Sequence, residues 1–150
     1  MFLGQAVHTI DDKNRLAIPA RFRSELVTGL YLTKGVDRCL YILTPEGWSR
    51  LADRIRALPS MQADARRLQR HFFAGADHLV PDKLGRIIIP ANLREYANLT
   101  GDIVVAGVHS RIELWDKATW DAEQAKADEQ SATLAEQLSV VDDQPADLWV

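Results

Sequence analysis

Residues 11–23 read DDKNRLAIPARFR and residues 82–94 read DKLGRIIIPANLR. Laid over each other without gaps at an offset of 71, they share Asp11/Asp82, Arg15/Arg86, Ile18/Ile89, Pro19/Pro90, Ala20/Ala91 and Arg23/Arg94, six identities in thirteen positions. The match extends outward. Gly4 falls on Gly75, and after a one-residue slip Gly35-Val36 meets Gly107-Val108 and Trp48 meets Trp120. A repeat of this length records duplication of one supersecondary unit that cannot bury its apolar face alone. Two half-domains sharing one core, with each site present twice, follow from it.

Within each copy the pattern is strand, tight turn, strand. Val7 to Ile10 predicts a strand, Asp11 to Asn14 a turn and Arg15 to Ile18 the returning strand of a hairpin. Pro19 then opens a short helix with Phe22 and Leu26 on its inner face. Strands at Leu30–Lys34 and Cys39–Leu43 flank a turn at Gly35–Arg38, and Pro45 begins a helix with Trp48, Leu51, Ala52 and Ile55 at helical spacing. A further helix covers about Gln62 to Phe73, with Ala65, Leu68 and Phe72 inward and the basic face of Arg66, Arg67 and Arg70 outward. That face reads as a solvated surface or a subunit contact. The second copy repeats the order: a turn at Asp82–Gly85, a strand through Ile87–Ile89, a short helix after Pro90, and strands at Ile103–Ala106 and Ile112–Trp115. A helix from near Asp116 runs into the 130s, and the last ten or so residues read as disordered or dependent on a partner. The boundaries are 1–55 for the first half, 56–74 for a connecting helix, 75–122 for the second half and 123–150 for a C-terminal helix and acidic tail.

At 150 residues the chain suits one domain or two small intertwined ones. It has no run of membrane-spanning length and no signal-peptide pattern after Met1-Phe2-Leu3-Gly4. The single cysteine, Cys39, lies in an apolar stretch and reads as a reduced, buried thiol of a cytoplasmic protein. The net charge of −3 averages two regions. Residues 1–120 carry +4 and residues 121–150 carry −7, so the folded part is mildly basic and compatible with a polyanionic partner.

The turns carry the chemistry. Each puts a short acceptor (Asp11, Asp82) at its start, a residue tolerant of positive φ near its end (Asn14, Gly85) and an arginine (Arg15, Arg86) on the outgoing strand. The carboxylate can accept backbone N–H bonds and pair with the arginine, fixing the guanidinium's orientation. Lys13 and Lys83 sit at the turn tips. A turn by itself needs neither Asp nor Arg, so their presence in both copies points to function.

The opening Met1-Phe2-Leu3-Gly4, the two Asp-x-x-x-Arg motifs each followed by Ile-Pro, and Leu114-Trp115-Asp116 resemble the MraZ family of bacterial transcriptional regulators. The resemblance covers nearly the whole chain to the start of the tail. It implies an α+β fold, a mainly β core with flanking helices, in which two tandem AbrB-like swapped-hairpin halves form one pseudo-two-fold double-split β-barrel. It further implies sequence-specific binding of double-stranded DNA at G-rich direct repeats upstream of the protein's own operon, in the division and cell wall gene cluster. The family acts as a nucleoid-associated repressor and assembles as a homo-oligomeric ring. By match to the motif, Asp11 and Arg15 carry over in the first half, and Asp82 and Arg86 in the second. Asn14 departs from the glycine usual in the family, so its side chain could add or block a DNA contact.

An arginine on a hairpin tip can reach O6 and N7 of guanine in the major groove. Lys13, Arg21 and Arg23 are close enough in sequence to contact phosphates. The first turn has the more basic flank, so DNA reading is expected to lean on it. An antitoxin-like protein-interaction module is the competing reading. An enzyme using a composite Asp/Arg site is a more distant one, since no phosphate loop, nucleophile elbow or nucleophile–base pair is present. The histidines, at 8, 71, 78 and 109, lack metal-ligand spacing, and no cofactor is implied.

Overall fold

A computed structural model of the chain describes residues 1–139. The expected disorder of the last ten or so residues lies outside them. The chain divides into two units, Met1–Lys117 and Ala118–Val150, and each is described by itself.

The first half runs β1 (Phe2–Thr9), β2 (Arg15–Ala17), α1 (Ala20–Arg23), a 3₁₀ turn at Ser24–Leu26, β3 (Leu30–Lys34), β4 (Leu40–Leu43) and α2 (Pro45–Arg56). After α3 (Ala63–Phe73) the second half repeats it as β5 (Asp77–Leu79), β6 (Arg86–Ile88), α4 (Ala91–Ala97), β7 (Asp102–His109) and β8 (Ile112–Asp116). Local chemistry accounts for the helix starts. Thr44 caps α2 by accepting the Gly47 N–H on its Oγ1 at 3.0 Å, with Pro45 in the first turn, where its missing N–H costs nothing. The four-residue α1 follows Pro19, whose carbonyl accepts the Phe22 N–H at 2.9 Å. In α3, Ala65 and Phe72 are buried as the spacing predicts, but Leu68 is 39% exposed. Gln69 holds the inner position there, donating from Nε2 to the Ile55 carbonyl at 3.2 Å.

The strands do not pair as the sequence pattern suggests. A hairpin would join β1 to β2; instead β1 pairs antiparallel with β7, from Phe2 opposite His109 to Thr9 opposite Asp102. β2 pairs with β6, its counterpart in the other half. The two sheets are a six-stranded one in the order β1-β7-β8-β4-β3-β5 and the two-stranded ribbon β2-β6. Exchanging the halves (β1 for β5, β2 for β6, β3 for β7, β4 for β8) reverses that order and leaves it otherwise unchanged. The fold is therefore α+β with pseudo-two-fold symmetry and swapped strands. The axis passes between Leu16 and Ile87, which stand opposite each other in the ribbon, and between Tyr41 and Glu113, opposite each other where β4 meets β8.

One apolar cluster fills the interior. The ribbon contributes Leu16, Ile18, Ile87 and Ile89; the sheet contributes Leu30, Leu32, Leu40, Ile42, Ile103, Val105, Ile112 and Leu114. Phe22, Leu26 and Leu93 close it from the helices. A three-residue strand cannot shelter its inner side chain by itself. Leu16 (0% exposed) and Ile87 (2%) are covered because each half supplies the wall for the other. Burial of each side chain contributes about 1.5–3 kcal/mol.

The helix α5 (Lys117–Ser139), which belongs to the second unit from Ala118 onward, contains no buried residue; Leu134 and Leu138 are exposed. Among the described residues no helix is long and apolar enough to cross a membrane.

Candidate nucleic-acid interface

The two motif turns have nearly the same geometry. In the first, Asp11 Oδ1 accepts the backbone N–H groups of Lys13 (2.9 Å) and Arg15 (2.8 Å), while Oδ2 accepts Arg15 Nε at 2.7 Å. In the second, Asp82 Oδ1 accepts Leu84 N and Arg86 N at 2.9 Å each, and Oδ2 accepts Arg86 Nε at 2.8 Å. The backbone closes both turns: Asn14 N donates to the Asp11 carbonyl (3.0 Å) and Gly85 N to that of Asp82 (2.9 Å). Asn14 and Gly85 both sit at positive φ, +61° and +74°. Asparagine is the residue after glycine most tolerant of that region, which explains how Asn14 keeps the turn.

Both carboxyls titrate below the usual aspartate value. The leading cause is the backbone N–H of the arginine, Arg15 for Asp11 and Arg86 for Asp82; desolvation, next in size, opposes it, and the guanidinium's hydrogen bond and the N–H of Lys13 or Leu84 add to the lowering. The aspartates are thus ionised at neutral pH, and each holds its arginine by Nε. The terminal amino groups of Arg15 and Arg86 bond nothing else among the described residues, which leaves both forks open.

The turns interlock across the axis. Ile18 N donates to the Gly85 carbonyl at 2.8 Å, and Ile89 N to the Asn14 carbonyl at 3.0 Å. The positive-φ residue of each half thereby anchors the strand end of the other. Leu16 and Ile87 point inward, so Arg15, Ala17, Arg86 and Ile88 occupy the opposite face of the ribbon, with Arg15 paired to Ile88 and Ala17 to Arg86.

Lys13 and Lys83 are exposed, but they are not equivalent. At the repeat offset Lys13 matches Leu84, which is 61% exposed, so the second turn carries an apolar tip where the first carries a cation. Arg21 and Arg23 each spend one nitrogen on a backbone carbonyl. Arg21 Nη2 donates to Gln5 O at 2.7 Å, and its guanidinium lies over the Phe22 ring at 5.3 Å. Arg23 Nε donates to Ile18 O at 2.7 Å, and Arg94 donates to the equivalent Ile89 carbonyl from Nη1. Sequence reasoning missed this strapping role, although the Arg23/Arg94 identity signalled it: an arginine kept in both copies beside Ile-Pro has a common backbone partner. Arg23 also fills the space over Gly85, where a Cβ would lie 2.3 Å from its Nε. Glycine at 85 therefore answers two demands, positive φ and the absence of a side chain.

The sequence family described as "MraZ protein, putative antitoxin-like" matches the chain twice, over residues 1–71 and over residues 72–141. Proteins called Transcriptional regulator MraZ are similar over almost their full length. That of Moorella thermoacetica is 46% identical over 138 residues, covering 92% of this chain and 96% of its own. That of Salinispora tropica is 46% identical over 136 residues (91% and 96%). That of Acetivibrio thermocellus is 42% identical over 141 residues (94% and 99%). The doubled match follows the internal repeat, the swapped strands give that repeat one core, and the chain belongs to the MraZ family.

Proposed function

We propose that the protein is a sequence-specific DNA-binding repressor whose reading surface is the outer face of the β2–β6 ribbon. The family is one of transcriptional regulators, a non-enzyme kind of protein. The observation that carries the reading is the pair of arginines, Arg15 and Arg86, held by aspartates on one two-stranded ribbon with their forks open. A ribbon of two strands fits the major groove, and an arginine fork matches O6 and N7 of guanine, worth about 1–3 kcal/mol of discrimination. Lys13, Asn14 and Lys83 border the forks and serve phosphate contact, which positions the protein without specifying sequence. Arg21 and Arg23 support the turns first and add positive charge. DNA reading leans on the first turn, where Lys13 stands in place of Leu84.

Two forks per chain are too few for tight binding. Homo-oligomerisation as a ring repeats the ribbon, and avidity follows where its spacing matches G-rich direct repeats upstream of the protein's own operon in the division and cell wall gene cluster. A nucleoid-associated, cytoplasmic location accompanies this role.

Arg15→Ala should lose specific binding in footprinting and mobility-shift titrations on the DNA upstream of its own gene, while the assembly stays intact by size-exclusion chromatography. Unchanged affinity would sink the proposal and favour a protein-interaction module, in which the half-buried Arg15 is indifferent to substitution. Binding should also weaken steeply with salt.

A further inference from the structure

The ribbon's outer face is not symmetric. Its four side chains form two cross-strand pairs: Arg15 beside Ile88, and Ala17 beside Arg86. The interlocking bonds at Ile18/Gly85 and Ile89/Asn14 fix the register. They place 15/88 and 17/86 at the alternate, non-hydrogen-bonded positions, where facing side chains approach most closely, with Cβ atoms about 4.5–5.5 Å apart. Ile88 is 59% exposed there, although Ile87 and Ile89 on either side are buried. At the equivalent place in the other half stands Ala17, too short to reach past the arginine stem.

Single exposed apolar residues are ordinary on protein surfaces. Ile88 is distinguished by its neighbour: it lies on the same face of the ribbon as Arg15 and directly opposite it, at the spacing where the two side chains leave the backbone side by side. Stacked base pairs are about 3.4 Å apart along a duplex. A ribbon that sets Arg15 on a guanine edge therefore brings Ile88 to an adjacent base. The one apolar group that a base offers in the major groove is the C5-methyl of thymine.

We propose that Ile88 is a specificity-determining residue that packs on the C5-methyl of a thymine next to the guanine read by Arg15. This rests on the DNA reading above and deepens it. Arg15 with Ile88 reads a guanine–thymine neighbourhood, whereas Arg86 with Ala17 reads guanine alone. The pseudo-two-fold ribbon thus acquires a direction, which suits direct repeats and would be wasted on a palindrome.

The test uses the full chain and an operator duplex defined by footprinting, with each thymine replaced in turn by deoxyuridine, which lacks only the methyl. For the unchanged protein, one thymine beside the contacted guanine should cost roughly fourfold in affinity per site, the worth of burying one methyl group. Ile88→Ala should bind the thymine and deoxyuridine operators alike, while Ile88→Val should keep most of the difference. Equal losses at every thymine for the unchanged protein and Ile88→Ala would overturn the assignment. So would Ile88→Ala dissociating the assembly on size-exclusion chromatography, which would make the residue a protomer contact. Absence of specific binding by the unchanged protein would overturn the DNA reading itself, an outcome distinct from the other two.

Discussion

Gly85→Ala puts the turn geometry under direct test. The residue sits at φ +74°, where an L side chain costs about 1–2 kcal/mol. Its new methyl would lie 2.3 Å from Arg23 Nε, 2.7 Å from Cζ and 2.8 Å from Cδ. These atoms are mid-chain and anchored, because Nε donates to the Ile18 carbonyl at 2.7 Å. Arg23 must therefore swing away and release that bond, and a hydrogen bond from a charged donor is worth about 1.5–3 kcal/mol. Alanine also restricts the unfolded chain, which offsets about 0.4–1 kcal/mol. The net expected loss is about 2–4 kcal/mol, or a fall in Tm of roughly 5–15 °C at this size. Urea unfolding followed by tryptophan fluorescence measures it, with the m-value checked so that a change in midpoint reports stability. The decisive arm is a double-mutant cycle. With Arg23→Ala in place the clash is gone, and Gly85→Ala should cost only its backbone share less the unfolded-chain offset, about 0–1.5 kcal/mol. A loss under about 0.5 kcal/mol for the single variant, or the same loss in both backgrounds, would refute the argument.

Further expectations concern titration. Asp11 and Asp82 have folded values below the ordinary 3.8, so their contribution to turn order is complete above that value and fades as pH falls through the lower, folded one. Carboxyl chemical shifts should show both titrating below 3.8, and a midpoint at or above it for Asp11 would contradict the bonding described. Burial, reinforced by the negative charge of Glu113, pushes the Cys39 thiol from 9.0 to about 12. At pH 8 iodoacetamide should therefore label the native protein about a thousandfold more slowly than the unfolded chain, since the thiolate is the reacting species. Rates within tenfold of each other would show that the thiol is not held as buried.

The turns were legible in the sequence because the bonds that join each aspartate to its arginine are local. Asp11 to Arg15 and Asp82 to Arg86 make those bonds within five residues, so residue type and spacing suffice for them, whereas the bonds across the axis and the packing of Arg23 on Gly85 were not legible. The repeat likewise revealed two equivalent halves with one core. Leu68 was misplaced because helical spacing cannot choose among neighbouring positions on a stripe; Gln69 took the inner one through a bond to the distant Ile55 carbonyl.

Strand partners were a different matter. Alternation of apolar residues shows that β2 buries Leu16, but says nothing about which strand lies beside it. The local hairpin and the exchange between halves satisfy the same pattern; they differ in whether β1 and β2 pair with each other across the turn or each with a strand about seventy or more residues away. The tertiary structure decided for exchange, because three-residue strands cover Leu16 and Ile87 only when the two halves meet on the axis. That choice placed Arg15 beside Ile88 and Arg23 over Gly85. The sequence by itself determined the two Asp–Arg turns; tertiary pairing decided that they share one ribbon and face the same way.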